Sequence, residues 1–332
     1  MTIQSVAYNN NPNDKTIQWA CNYLTSHGYE LKTKVPEMVQ DAPWSYVIRF
    51  ATSEGLIYLK QTPEQLALEA PIIQILHDQF HASVPIVIAH NAELNCFLMK
   101  DSGKSLRSIL KQNFDEALLC KAIDQFTSLQ IEVAEHADVF FDLGVPDWRL
   151  HKFPKLYQQL LTQKDVLIAD GLSEMELDEL EKLSPIVFDL CEKLSSYSIK
   201  PTLVQPDFND NNTLIDNVAQ KITIIDLGEI SISHPFFSLL NCLYVIKKHH
   251  ALTDEDVRYL RIKDACLKNY MNFESKKRLL EALEVALLLF PIYGVFAGYR
   301  MVFACDQSKF TEPFQRHARP GLLLREFINE HK

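Results

Sequence analysis

The sequence predicts an α+β fold with two lobes, a small N-terminal lobe with an antiparallel β-sheet and one helix, and a large, mainly helical C-terminal lobe. Strand-like alternation of apolar residues is concentrated before residue 100, and helical spacing dominates after it. A polar segment ending in Gly103 separates the two patterns. The chain has 332 residues, 47% of them hydrophobic, which is enough for a core in each lobe. We therefore expect an N-terminal lobe over residues 1–100 and a C-terminal lobe over 101–332.

Local patterns predict the elements of the N-terminal lobe. They are, in chain order, a helix over 15–27, a hairpin with strands 45–50 and 56–60, a helix that starts at Thr62 and runs to Phe80, and strands over 84–88 and 96–99. The helix start is inferred from Thr62, Pro63 and Gln65. A threonine can cap the first turn, proline is tolerated at the first helical position, and glutamine can complete a capping box.

The C-terminal lobe is predicted to be helical except over residues 203–226. The segment 207–212 contains three asparagines and two aspartates, which favour a polar loop. Two apolar runs, 213–215 and 222–225, are predicted to pair as strands around a turn at Asp216-Asn217. The second strand would then present Asp226 at its C-terminal end.

Composition limits the class of protein. The net charge of −10 argues against a nucleic-acid partner and is compatible with a cationic small substrate. The seven cysteines contain no Cys-x-x-Cys motif, so we expect reduced thiols in a cytoplasmic protein rather than zinc sites or disulfides. The first residues, MTIQSVAYNNNPNDK, lack the basic and apolar segments of a signal peptide. The sequence leaves the oligomeric state open.

The longest apolar stretch, 285–299, is interrupted by Pro291, Gly294 and Gly298. A helix needs about 20 apolar residues to span a bilayer. We therefore interpret this stretch as two buried helical pieces and expect no membrane partner.

Asp207, Asn212 and Asp226 have the residue types and spacing of a phosphoryl-transfer site. The transition state of this reaction is loose, so the protein mainly positions groups and neutralises charge. One carboxylate takes up the proton of the acceptor hydroxyl, while an amide oxygen and a second carboxylate hold Mg²⁺ on the phosphates. Protein kinases place the base five residues before the asparagine and the metal-binding Asp in a DFG triplet. Here Asn212 follows Asp207 by five residues, and Asp226-Leu227-Gly228 is similar to DFG. The alternative is a hairpin with an Asn-rich surface turn.

Lys60 and Glu69 are the candidate nucleotide-binding residues of the N-terminal lobe. Lys60 follows Ile57-Tyr58-Leu59, a pattern with which kinases present a lysine to the α- and β-phosphates. Glu69 falls on the apolar face of the next predicted helix, where an unpaired carboxylate would be costly, so we expect it to pair with Lys60. The alternatives are a solvated lysine at the strand end and a solvated glutamate at the edge of that face.

No glycine-rich phosphate loop precedes Lys60. The sequence has neither a G-x-G-x-x-G motif there nor a Walker A motif, which excludes Rossmann and P-loop nucleotide sites. The turn expected over the phosphates, 40–45, offers backbone N–H groups and the Ser45 hydroxyl.

These motifs resemble the aminoglycoside phosphotransferase and choline kinase-like family of small-molecule kinases. QPDFNDNN resembles the family's HGDxHxxN loop, and IIDLGE resembles its I-D-W/F strand end. DLGEISISHPFFSLLNCL is similar to a bacterial branch with His-Pro-Phe after the metal-binding Asp, and IYLK and LALEAPIIQIL resemble its front-lobe elements. The resemblance spans residues 40–245.

The resemblance implies a two-lobed protein-kinase-like fold and ATP-dependent transfer of the γ-phosphate to a hydroxyl of a small acceptor such as an aminoglycoside, choline or an amino sugar. Carried over by residue, it implies Asp207 as catalytic base, Asn212 and Asp226 as Mg²⁺ ligands, Lys60 as phosphate lysine and Glu69 as its partner. Met99, Lys100 and Asp101 would form the hinge that hydrogen-bonds the adenine.

Departures from the family pattern surround the candidate base. Gln205 and Asn209 stand where the family has histidines, and Leu227 replaces an aromatic residue. The first histidine normally supports the loop and the metal-binding Asp, and glutamine can still donate a hydrogen bond. The alternative function is a pseudokinase, or a nucleotide- or ligand-binding module with the same fold. A protein substrate is disfavoured because no activation segment precedes His234-Pro235.

The acceptor is expected to bind the helical lobe, over 134–183 and after Phe236. Candidate contacts are the carboxylates of Asp138, Asp142, Asp147 and Glu229 and the aromatic rings of Phe140, Trp148 and Tyr157. For each of them the alternative is an ordinary surface or core position. We interpret His234 as a structural residue at the start of the next helix.

Overall fold

The N-terminal lobe of the computed structural model, which describes residues 12–33, 35–216, 220–312 and 314–332, contains one antiparallel sheet and two helices. Its strands are β1 (Glu37–Ala42), β2 (Ser45–Thr52), β3 (Gly55–Gln61), β4 (Val87–Asn91) and β5 (Cys96–Lys100), and its helices are α1 (Pro12–Ser26) and α2 (Glu69–Phe80). The strand order is β1-β2-β3-β5-β4. The predicted hairpin and both later strands are therefore present, with boundaries moved by a few residues.

The two faces of this sheet pack against different partners. Alternating side chains of β2 and β3, such as Ile48 and Leu59, pack on Ala20 and Leu24 of α1. Helix α2 and Phe97 of β5 instead join the large core of the C-terminal lobe. The period of two along a strand sends neighbouring residues to opposite faces, so a single strand serves both cores. Lys60 lies in β3 opposite Val47 of β2 and Phe97 of β5.

The helix predicted from Thr62 is wrong at its start. A 3-10 turn covers Glu64–Leu66, no side chain caps it, and the α-helix begins only at Glu69. Pro71 explains the delay, because a proline lacks the backbone N–H of a helix interior and is tolerated only in the first turn. Glu69 consequently occupies the first turn of α2.

The C-terminal lobe is mainly helical, with short strands on either side of loop 205–212. Its helices are α3 (Leu106–Leu110), α4 (Glu116–Ala134), α5 (Asp138–Phe141), α6 (Phe153–Leu161), α7 (Lys164–Asp170), α8 (Glu174–Lys182), α9 (Ser184–Ser195), α10 (Phe236–His249), α11 (Val257–Lys268), α12 (Lys276–Ala304) and α13 (Leu324–Asn329). Its strands are β6 (Lys104–Ser105), β7 (Thr202–Val204), β8 (Thr213–Ile215), β9 (Ile222–Ile224) and β10 (Ser231–Ser233).

Two small sheets position the candidate site. Strands β8 and β9 pair antiparallel with Thr213 opposite Ile224, as predicted, and β6 adds to this hairpin. The predicted turn at Asp216-Asn217 lies partly outside the described residues, since Asn217 is not among them. Strand β7 leads into loop 205–212 and pairs with β10. Loop 205–212 and the segment after β9 therefore start from fixed strand ends.

The apolar stretch near the C-terminus forms one helix, α12, and not the two pieces that were predicted. Pro291 lies inside it and is buried. Among the described residues, α12 alone is long and apolar enough to cross a membrane, and 61% of its apolar window is buried in the protein. Pro291 itself and Leu289, Ile292 and Val295 around it are buried in the C-terminal core, so tertiary packing maintains the helix past the proline.

Candidate active site

Lys60 lies in the cleft between the lobes and contacts two carboxylates. Its Nζ is 2.6 Å from Glu69 Oε2 and also donates to Asp226 Oδ1. Lys60 and Glu69 are 7% and 2% exposed, so the ion pair expected from the sequence is present and buried. The other Glu69 oxygen accepts the backbone N–H of Leu227 at 3.2 Å. Both Glu69 oxygens are thereby engaged, and α2 is tied to the segment that carries Asp226.

The charges of this cluster depend on each other. Burial alone would lower the pKa of Lys60, but the Asp226 and Glu69 carboxylates outweigh it, and the pKa of the lysine is raised. Burial raises the pKa of Glu69, and the lysine charge opposes this. Lys60 is therefore a fixed cation that faces the cleft.

Asp226 follows β9 in a left-handed backbone conformation, with φ of 64°. Non-glycine residues adopt this conformation rarely, and it persists where surrounding contacts impose it. The Gln205 amide supplies such contacts, because its Nε2 donates to the Ile225 carbonyl at 2.7 Å and to the Asp226 carbonyl at 3.1 Å. Gln205 thus makes the supporting contact expected at this position, while the Asp226 side chain remains 40% exposed.

Asp207 lies next to Asn212, which lines the cleft, and amide groups hold its carboxylate. Asn209 Nδ2 donates to Oδ1 at 2.7 Å, and Asn212 Nδ2 donates to Oδ2 at 2.8 Å. Asn241 of α10 adds a longer contact to Oδ1, at 3.4 Å. Each carboxylate oxygen therefore has a donor that fixes its direction, and Oδ2, which accepts a single hydrogen bond, keeps a lone pair for a substrate hydroxyl.

The environment of Asp207 also adjusts its basicity. Loss of water around the carboxyl, followed by repulsion from the Asp226 carboxylate, raises the pKa of Asp207 to about 6. Such a group is mostly ionised at neutral pH and is a stronger base than an ordinary aspartate.

Asn212 and Asp226 fit a hard divalent cation. Both line the same cleft, and Asn212 uses its Nδ2 for Asp207, so its Oδ1 is the atom that would bind a metal. Among the described residues there is no cluster of three or more His, Cys, Asp or Glu side chains for a metal. Mg²⁺ commonly needs only one or two protein oxygens, because phosphates and water complete its shell.

The cleft has a volume of about 250 Å³ and is lined by both lobes. Met99, Lys100 and Asp101 line it, as expected of a hinge. The Lys100 N–H already donates to the Ile86 carbonyl, and the Asp101 N–H donates to the Leu56 carbonyl. Within the described hydrogen bonds, none uses the N–H of Ser102, which also lines the cleft. The backbone N–H of Ser102, a residue that was not selected from the sequence, is therefore a better donor for a nucleotide base than the N–H groups of Lys100 and Asp101.

Gly103 is the one hinge position where only glycine fits. Its φ is 103°, and a Cβ atom there would lie 2.1 Å from the Ile215 carbonyl oxygen. The hinge backbone therefore lies directly on Ile215 at the end of β8, the strand that follows loop 205–212.

The turn between β1 and β2 covers the Lys60 end of the cleft and is held at its tip by Trp44. The indole lies 5.2 Å from the Phe314 ring, 5.2 Å from the His317 ring and 6.4 Å from the Phe310 ring. Ser45, the next residue, lines the cleft. The sequence analysis located this turn but missed its aromatic partners, which belong to a distant segment after α12.

Most of the candidate acceptor contacts have other roles. Phe140, Trp148 and Tyr157 are buried in the C-terminal core. Asp147 is paired with Arg149 and Lys152, while Asp138 and Asp142 are exposed on the surface.

Glu229 is the exception among these candidates. Burial, and then the Asp226 carboxylate, raise its pKa above the ordinary range, so it belongs to the same electrostatic environment as Asp226 and Lys60. Arg300 of α12 lies near it and donates to the backbone carbonyls of Gly228 and Ile230.

His234 is a structural residue, as interpreted from the sequence. It is 2% exposed, and its Nδ1 accepts the backbone N–H of Phe236 at the start of α10. Burial lowers its pKa to about 3, so the ring is neutral.

Solved structures of small-molecule phosphotransferases have a similar fold. No family model and no curated protein matches the sequence. A Plasmodium vivax ethanolamine kinase has a TM-score of 0.62 at 13% identity, over 99% of this chain and 92% of that chain. Wild-type aminoglycoside 2'-phosphotransferase-IIIa, solved with GDP, has a TM-score of 0.60 at 15% identity, over 95% and 99%. A macrolide 2'-phosphotransferase from Brachybacterium faecium has a TM-score of 0.54 at 12% identity, over 92% and 98%.

At these identities the comparison concerns the fold. The chain has the two-lobed kinase-like architecture of these proteins, with a small antiparallel sheet lobe and a mainly helical lobe. The fold class predicted from the sequence is confirmed.

Proposed function

We propose that the protein is an ATP-dependent kinase that transfers the γ-phosphate to a hydroxyl of a small acceptor. One observation carries the proposal: Lys60, Glu69 and Asp226 form a single ionic cluster in the cleft, and Asn212, which lines the same cleft, donates a hydrogen bond to the proposed base Asp207. A purely structural cleft has no need of a buried lysine between two carboxylates, because the desolvation of the charges is costly.

Each residue has a role in this proposal. Lys60 binds the α- and β-phosphates, and Glu69 holds the lysine in place. Asn212 and Asp226 hold Mg²⁺, which neutralises charge on the phosphates when it is bound. The adenine lies against Met99, with the Lys100 carbonyl as acceptor and the Ser102 N–H as donor, and Asp101 at the edge of the hinge.

Asp207 acts on the acceptor. Its carboxylate receives the proton of the acceptor hydroxyl as the oxygen bonds to the γ-phosphorus. The bond between the γ-phosphorus and the β,γ-bridging oxygen breaks, and ADP leaves with that electron pair. Asn209 and Asn212 keep the carboxylate directed at the hydroxyl while this occurs.

A small acceptor is supported by the chain and by the structures that it resembles. The segment from Asp226 to His234 is too short for an activation segment that would bind a peptide. Structural neighbours were solved with kanamycin or are described as ethanolamine and macrolide phosphotransferases. We therefore infer a hydroxylated small molecule as acceptor, and a cytoplasmic protein in which all seven cysteines are free thiols.

The second candidate is a pseudokinase or nucleotide-binding module. The covering turn favours it, because Trp44 and Pro43 replace the glycines that usually approach the phosphates closely. The retained base and metal ligands favour the enzyme.

A binding and turnover experiment separates the two. The kinase should show a magnesium-dependent thermal shift with ATP that Asp226→Ala removes, and should consume ATP with at least one acceptor in a panel of hydroxylated amines, sugars and antibiotics. Asp207→Ala should keep the thermal shift and lose the turnover. ATP binding that does not depend on magnesium, together with no ATP consumption with any acceptor in the panel, would establish the binding module instead.

A further inference from the structure

Arg107 connects the hinge side of the cleft to the catalytic loop. It lies in the first turn of α3, and its guanidinium reaches two neighbouring residues of the loop. Nη2 donates to Asn209 Oδ1 at 2.9 Å, and Nε and Nη2 donate to Asp210 Oδ1 at 2.9 Å and 2.8 Å. The Arg107 backbone N–H donates to the Asp210 carbonyl at 2.9 Å. The arginine therefore holds this part of the loop by main chain and side chain together.

These contacts determine which way the Asn209 amide points. Asn209 Oδ1 accepts from Arg107 and from the Asn211 N–H at 2.8 Å, so two donors occupy it. The NH2 group must then face the other way, where it donates to Asp207 Oδ1 at 2.7 Å and to the Asp207 carbonyl at 2.9 Å. An amide turned by half a rotation would place its NH2 against the guanidinium and its oxygen against the carboxylate.

The guanidinium itself cannot move easily. Asp210 is fully buried, and its second oxygen is 2.7 Å from His250 Nε2. The His250 side chain is also buried, at 4% exposure. With Asp210 held from both sides, Arg107 is fixed in the position from which it reaches Asn209.

We propose that Arg107 is a positioning residue for phosphoryl transfer, which acts through the Asn209 amide to hold the Asp207 carboxylate in line with the acceptor hydroxyl. The inference rests on the proposed function. Arg107 touches neither the nucleotide nor the acceptor in this scheme. Its effect reaches the reaction through two hydrogen bonds.

The inference predicts a loss of turnover rather than of nucleotide binding. Without Arg107, the Asn209 oxygen keeps only the Asn211 N–H as donor, so the Asn209 amide holds Asp207 Oδ1 less firmly. Asn212 still holds Oδ2, and the longer Asn241 contact remains on Oδ1, so we expect a small misplacement of the carboxylate. A small misplacement of a reacting group costs about 100-fold in rate. We expect Arg107→Ala to lower kcat by about 10- to 100-fold and to change the KM for ATP by less than about threefold.

Paired variants separate positioning from folding. Asn209→Ala should lower kcat by a similar factor. The double variant should be no slower than the slower single variant, because both substitutions break the same chain of hydrogen bonds from Arg107 through Asn209 to Asp207. Arg107→Lys keeps the positive charge but lacks the planar set of N–H donors of a guanidinium, so we expect an intermediate rate. Added guanidinium should partly restore the rate of Arg107→Ala and leave Arg107→Lys unchanged. If Arg107→Ala does not fold, Arg107→Lys and Asn209→Ala still decide the question.

Arg325→Ala is the matched control. Arg325 also donates hydrogen bonds to a carboxylate and a backbone carbonyl, those of Glu176 and Gly171, but in a part of the C-terminal lobe remote from loop 207–212. The Arg325→Ala variant should therefore have the kcat of the wild type. Equal losses in Arg107→Ala and Arg325→Ala, strictly multiplicative effects of the Arg107 and Asn209 variants, or a loss confined to KM would each overturn the inference.

A wild-type protein without phosphotransfer would instead overturn the proposed function. In that case NMR of the side-chain amides tests whether Arg107 orients the Asn209 amide. Arg107→Ala should shift the Asn209 NH2 resonances and leave those of Gln18, which is on α1, unchanged. Unshifted Asn209 resonances would overturn the inference independently of any activity.

Discussion

The catalytic loop and the covering turn face the same cleft, but different kinds of contact hold them. Loop 207–212 is fixed by directional hydrogen bonds from amides, a guanidinium and an imidazole, with Asp210 completely buried. The covering turn, 42–45, is fixed at its tip by the Trp44 ring among Phe310, Phe314 and His317. Polar networks specify angles and atom positions, whereas aromatic contacts tolerate sliding and repacking.

This difference fits the work that each segment would do. A base must be directed at one proton, and misdirection is costly. A segment over the phosphates must move aside for nucleotide exchange, and such motions are drawn from the less stable parts of a protein. The proposed base is therefore placed by a network of several hydrogen bonds, and the turn over the proposed phosphate site is held by an apolar contact that can be released.

The largest effect is expected where the loop network is broken at its buried centre. Asp210→Ala leaves the Arg107 guanidinium and His250 without their shared carboxylate, and breaking a buried charge pair costs about 3–5 kcal/mol. The free energy of unfolding, measured in urea, should fall by this amount, and phosphotransfer should be lost with it. Asp264→Ala, which removes the exposed partner of Lys276, should cost less than about 1 kcal/mol. Equal costs for the two variants would mean that the loop is not specially anchored.

A smaller and different effect is expected at the covering turn. Trp44→Ala removes a half-buried indole from its aromatic neighbours, and an aromatic pair contributes about 0.5–1.5 kcal/mol beyond buried area. We expect stability to fall by about 1–2 kcal/mol. The KM for ATP should rise several-fold, and ATP hydrolysis without acceptor should increase, since the turn would no longer exclude water.

Trp44→Phe is the control for this variant, because it keeps a ring in the aromatic cluster and should lie between wild type and Trp44→Ala in each measurement. A loss of kcat as large as that of the loop variants, with an unchanged KM for ATP, would contradict the proposed division between the two segments.

The sequence predicted those parts of the site that depend on local pattern. The hairpin that presents Asp226, the polar loop from Asp207 to Asn212 and the strand that ends near Lys60 each follow from residue type and spacing. The Lys60–Glu69 pair was also predictable, because a carboxylate on an apolar face needs a cation and the preceding strand ends in one.

Contacts between distant segments were not predictable in this way. Nothing near Trp44 in the chain indicates that Phe310 and Phe314 will surround it, and nothing near Arg107 indicates Asp210. Pro71 and Pro291 illustrate the limit of local rules. Pro71 delays the start of a helix that the capping pattern at Thr62 predicts. Pro291 is accommodated in α12 because it and its neighbours are packed in the C-terminal core.

The smallest predicted effect concerns pH, and it tests whether the loop alone determines the chemistry of the base. The pKa of Asp207 is raised to about 6, and only the ionised carboxylate can take up a proton. The acid limb of kcat/KM should therefore fall tenfold per pH unit below about 6. Asn241→Ala removes a hydrogen bond that favours the ionised form, so it should move this limb to higher pH. Trp44→Ala should lower the whole profile without moving the limb, because no contact of its ring reaches Asp207. The ionisation of ATP itself is common to all three proteins, so a shift seen only in Asn241→Ala belongs to Asp207. If the limb moved equally in both variants, the covering turn would share in tuning the base and the contrast between the two segments would fail.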